Sequence, residues 1–147
     1  MRDFIESDLA EKAGSYLSER AAIAIHVDGR DFLFRRRKGK NTLSEEKGKD
    51  ADVHFWVPVI ALRHLLSVSS LPGTGMGTLG VAVIEHLLQA SEESKIKFRV
   101  DSSFMGLWSK GYFSVLKAGG PEVASYLTRW GFDSLSRIKD VLRKIRG

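Results

Sequence analysis

The chain has 147 residues, of which 43% are apolar and 28% charged. That is enough for one domain with a sizeable core. It contains no cysteine, which excludes disulfides, cysteine nucleophiles and thiolate metal sites, and no apolar run nears the roughly 20 residues of a membrane span. The formal charge of +5 suits anionic partners without selecting one, and the charged opening MRDFIESDLAEK lacks a secretory apolar region, so a cytoplasmic protein is expected.

Residues 3–19 read as a helix, with Phe4–Ile5, Leu9, Ala13 and Tyr16–Leu17 at three-to-four spacing. Ala22–Asp28 reads as a strand, and Asp28-Gly29 as a type I′ hairpin turn. A two-residue loop sets Ile25 opposite Phe32, Ile23 opposite Phe34 and Val27 opposite Arg30, which gathers apolar side chains on one face. His26 falls opposite Asp31. An exposed cross-strand contact is the simpler reading of that pair, since a catalytic dyad would need a third partner.

The second strand runs into the basic stretch Arg35–Lys40, followed by a short edge strand within Asn41–Glu46 and a turn at Lys47–Asp50. The chain is then organised by Ala51–Leu66. Val53, Phe55 and Val57 alternate as one strand face, and Pro58 suits the first turn of a helix. Val59, Leu62 and Leu65–Leu66 continue at helical spacing. Ser67–Gly80 reads as a loop and Val81–Leu88 as a buried helix. In Lys95–Asp101, Ile96, Phe98 and Val100 face inward while Lys95, Lys97 and Arg99 face water, so one sheet face should be solvated. Ser103–Lys117 reads as one helix, and Gly119-Gly120 and Pro121 separate it from further helices ending in a basic amphipathic segment. The pattern is α+β: helices gather on one face of a mixed, mainly antiparallel sheet. The whole chain, 1–147, is expected to form one domain, with 119–147 as a C-terminal helical extension.

The motifs are sparse. Gly75-Met76-Gly77-Thr78-Leu79-Gly80 matches GxGxxG, but a dinucleotide site needs a strand leading into the glycines, and a helix end precedes these. His26, His54, His64 and His86 make no metal-ligating spacing, and no GxSxG elbow occurs. Asp50 and Asp52 fall in an apparent turn and are expected to be solvated. No catalytic residue, metal site or cofactor is therefore expected. Arg35, Arg36, Arg37 and Lys38, with Arg143 and Lys144 of the last segment, are the candidates for contact with an anionic surface.

An N-terminal helix, then AAIAIHVDG turning into RDFLF, the extension KGKNTLSEEKGK, and ADVHFWV leading into VIALRHLLS come in that order. Two helices later comes KIKFRVD. Over roughly residues 3–118 this resembles the sterol carrier protein type two (SCP2-like) family of lipid-binding domains. The resemblance implies a sheet of about five strands with helices on one face, and an apolar tunnel between them for sterols, fatty acids or acyl chains. The last strand ends Val100-Asp101-Ser102-Ser103, where the family usually has a Gly-Asp step.

The expected function is a noncatalytic lipid carrier. Phe34, Phe55, Val57, Met76, Val83, Leu87, Phe98, Phe104, Met105 and Trp108 are the expected cavity lining, with His54 or Arg99 orienting a polar head. The expected partners are a lipid or other apolar small molecule, an anionic membrane surface and a second copy in a homodimer. The alternatives are an interaction module that dimerises or regulates without ligand, and a nucleic-acid binder working through Arg35–Lys40.

Overall fold

The computed structural model describes residues 5–88 and 93–118, with Gly120 and Ser125. Helix α1 covers Asp8–Gly14, where Ser7 Oγ accepts from the Ala10 amide. This is shorter than the sequence periodicity suggests. The helix ends where Gly14 abuts Asn41 so closely that an added Cβ would lie 2.1 Å from Oδ1.

Strands β1 (Ala22–Val27) and β2 (Arg30–Arg37) meet in the expected register, Ile23 opposite Phe34 and Ile25 opposite Phe32. Asp28 and Gly29 both take positive φ (51° and 74°), as a type I′ turn requires. Lys38 and Gly39 repeat the device at 52° and 76°. The basic stretch therefore contains a second tight turn, into β3 (Lys40–Ser44), which starts one residue before the expected strand and ends two residues earlier. Strand β4 (Val53–Trp56) returns parallel to β1, and β5 (Lys97–Val100) pairs antiparallel with β4. The result is one mixed five-stranded sheet, ordered β3-β2-β1-β4-β5.

Pro58 caps helix α2 (Val59–Ser70), and helix α3 spans Met76–Leu88. The second helix starts five residues before the expected Val81, so Gly77 and Gly80 are helical. Each glycine costs about 1 kcal/mol relative to alanine, and burial of Leu79 on Ala61 and Leu65 offsets that cost. The expected single helix over 103–117 is two, α4 (Phe104–Ser109) and α5 (Tyr112–Ala118). The break falls at Gly111, with φ of 92°. An added Cβ there would lie 2.0 Å from the Tyr16 carbonyl oxygen, so only glycine allows the helix pair to close on the 16–18 segment.

Helices cover the sheet face of Ile23, Val53 and Phe55. The opposite face is less solvated than the charged alternation of β5 implies. Ala22, Ala24, Leu33 and Ala51 form a buried cluster on it. Gly48 (φ 64°) lies over Ala24 and Leu33 so tightly that an added Cβ would come within 3.0 and 3.1 Å of them. The anticipated C-terminal helices, with Arg143 and Lys144, lie outside the described residues.

Candidate functional site

Between sheet and helices lies a cavity of about 400 Å³. Its floor is Ile23 of β1, Val53 and Phe55 of β4, and Phe98 and Val100 of β5. Period-2 alternation places all five on one face. Helix α3 forms one wall through Met76, Leu79, Gly80, Val83, Ile84 and Leu87. The others come from Leu9, Ala10 and Ala13 of α1, with Leu17, and from Leu107, Tyr112, Phe113 and Val115 of α4 and α5. Gly80 helps here, because a residue without a side chain leaves room beside the sheet.

Of the residues expected to line a cavity, Phe55, Met76, Val83, Leu87 and Phe98 do so. Val57 instead packs against the core cluster of Ala61, Leu65 and Ile96, and Phe34 against Ile5 and Leu43. Phe104 lies on Phe113 with centroids 5.1 Å apart, while Met105 and Trp108 are 68% and 48% exposed. The break at Gly111 leaves α4 only six residues long, and Leu107 takes its inward position. Sequence reasoning missed the contributions from α1 and α5, and also Ile23, Val53, Val100, Leu79, Ile84 and Leu107. Ala10, Ala13 and Val115 are small, ordinary helix-face residues with no local mark of a ligand wall.

One end of the cavity meets a polar clasp. Tyr112 lines the cavity, and its hydroxyl donates to Asp52 Oδ2 at 2.9 Å. The same carboxylate oxygen accepts from the Ala22 amide (2.9 Å), and Oδ1 accepts from Lys110 Nζ (2.5 Å). Asp52 is thus buried and engaged on both oxygens, not solvated in a turn. Burial, reinforced by the Asp52 charge, pushes the Tyr112 phenol well above its ordinary range.

His54 and Arg99, the expected head-group residues, sit on the other sheet face. There the His26–Asp31 pair gains the third partner that its sequence position did not reveal. His26 Nδ1 donates to Asp31 Oδ1 at 2.6 Å, and His26 Nε2 lies 3.0 Å from His54 Nδ1. The parallel rings, 2° apart, meet edge to edge, and the Trp56 indole lies over both at 4.9 and 5.8 Å. His54 Nε2 is 3.3 Å from Asp101 Oδ2 but off the line of a hydrogen bond. Burial, and then the nearby Arg99 guanidinium, hold the His54 imidazole below its ordinary value against the opposing pull of Asp101.

A second pair joins the helices. His86 Nδ1 faces the Ser94 carbonyl at 2.9 Å and must donate to it, so its Nε2 accepts from His64 Nδ1 at 2.7 Å. Among the described residues no group of three or more His, Asp or Glu side chains could hold a metal ion.

The basic stretch does not form one surface. Arg36 is buried, donating to Glu11 Oε2, Asn41 Oδ1 and the Gly39 carbonyl. Arg35 Nε is buried without a hydrogen-bond partner, while Arg37 and Lys38 are exposed. Alternation along β2 forces this split.

No protein-family model and no curated protein sequence matches this chain. A solved structure described as "UbiJ-SCP2 Ubiquinone synthesis protein" is similar to it at 13% identity. The match covers 78% of this chain and 79% of that one, with a TM-score of 0.42. No described helix is long and apolar enough to cross a membrane.

Proposed function

We propose that this chain is a noncatalytic lipid-binding or carrier protein that holds an acyl-chain or sterol-like ligand between sheet and helices. The observation that carries the reading is a cavity of about 400 Å³ with apolar side chains on its floor and walls. At roughly 30 Å³ per water-sized group it has room for about a dozen methylenes. Burying those contributes about 0.8 kcal/mol each, before the entropy of holding the ligand is subtracted. The SCP2-like order of elements points the same way. The polar constellations at Asp52, His26 and His64 are engaged in joining strands and helices. In this reading the protein is cytoplasmic, and exposed cations such as Arg37 and Lys38 bring it to anionic membranes.

The test is native mass spectrometry with solvent extraction, followed by uptake of a fluorescent fatty acid or sterol. Leu87→Arg, placed in the α3 wall, should abolish uptake of the uncharged sterol while circular dichroism stays native. A stripped protein that takes up neither probe rejects the carrier function. The exposure of Met105 and Trp108 favours a second reading, a homodimerising module. Light scattering would then show a dimer that Trp108→Glu disperses.

A further inference from the structure

The described side chains that line the cavity offer a ligand no charge to pair with. Among the described lining residues none is charged, and Tyr112 has the sole hydroxyl. That hydroxyl has one proton, and two acceptors already surround it, Asp52 Oδ2 at 2.9 Å and the Ala22 carbonyl oxygen at 3.3 Å. The phenol oxygen is therefore left as an acceptor only. The charge directly behind it is a carboxylate. Lys110, the nearby cation, is held by Asp52 Oδ1 on the clasp and is not among the lining residues. Asp52 itself is joined to the Ala22 amide, so the clasp cannot turn toward a ligand without breaking the junction of β1 and β4.

We propose that this cavity selects lipids whose buried end is uncharged, a long-chain alcohol or a simple ester, over the free fatty acid of the same length. The inference rests on the lipid-site reading and names its cargo class. A carboxylate offers only acceptors, and the Tyr112 phenol at the site's polar end also offers only an acceptor, with Asp52, already paired to Lys110, behind it. Taken inside, the acid would lose its hydration without a donor or cation in exchange. An alcohol keeps a proton to donate, and an ester brings no charge. Both gain the same hydrocarbon burial as the acid.

The experiment is displacement of N-phenylnaphthylamine, an uncharged fluorophore, from the intact chain by dodecanol, methyl dodecanoate and dodecanoate at a pH where the free acid is fully ionised. The alcohol and ester should displace the probe at concentrations on the order of tenfold lower than the acid. Ala13→Lys then places a cation in the α1 wall at a half-buried, helical position. It should narrow or reverse the ranking by improving dodecanoate alone. Equal or tighter binding of dodecanoate to the native protein overturns the selectivity and leaves the lipid site standing. An unchanged ranking in folded Ala13→Lys overturns it as well. If neither the probe nor any competitor binds, the lipid site itself is wrong, and the selectivity with it.

Discussion

Tyr112 donates its hydroxyl proton to Asp52 across 60 positions of chain, and the bond ties helix α5 to the start of β4. Asp52 also accepts from Ala22 and Lys110, so one buried carboxylate joins two strands and the α4–α5 break. Asp52→Ala should cost about 3 kcal/mol, because it strands a partly buried ammonium and a buried amide together. Tyr112→Phe should cost about 1 kcal/mol, the ordinary net value of one hydrogen bond. Urea unfolding checks both. Equal losses would mean that the phenol, rather than the carboxylate, organises the clasp.

The His54 imidazole titrates below its ordinary value of 6.5, chiefly through burial. The sign follows from proton counting. Between the folded and unfolded values the unfolded chain binds more protons, so stability rises with pH there. This contribution is complete above the unfolded value and is lost as pH falls below it. Unfolding free energies measured between about pH 5 and pH 8 should therefore decline on the acid side. His54→Asn should flatten that slope. A mutant with the native slope would rule His54 out as the source of the acid sensitivity.

Neighbouring arginines of β2 should behave oppositely. Arg36→Ala removes three hydrogen bonds at a side chain only 8% exposed and takes the arginine partner from Glu11 Oε2. A loss of about 2–4 kcal/mol is expected. Arg37→Ala, at an exposed position, should stay within about 0.5 kcal/mol. Thermal melts of the pair measure the contrast, and vesicle binding should respond to Arg37→Ala without any change in melting.

The hairpin register, the strand-to-helix turn at Pro58 and the inward set Ile96, Phe98 and Val100 were legible in the chain alone. Their causes are local: a type I′ turn counts residues, proline lacks an amide proton, and a pleat alternates sides. Phe55, Phe98, Val83 and Leu87 lie in the cavity wall for the same reason, on periodic faces of two strands and α3, whereas Met76 was expected in a loop and reaches the wall because α3 starts earlier. Only tertiary structure decided the rest. Gly111 ends a helix because Tyr16 approaches it, and nothing between residues 103 and 117 announces that contact. Phe34, Met105 and Trp108 are as apolar as the residues that border the cavity, but which apolar face meets which cavity depends on helix placement. Asp52, Lys110 and Tyr112, and likewise His26 and His54, join only when strands distant in sequence are laid side by side. A polar residue's type shows what it can bond. The fold alone decides whether water or a distant side chain is there to bond with it.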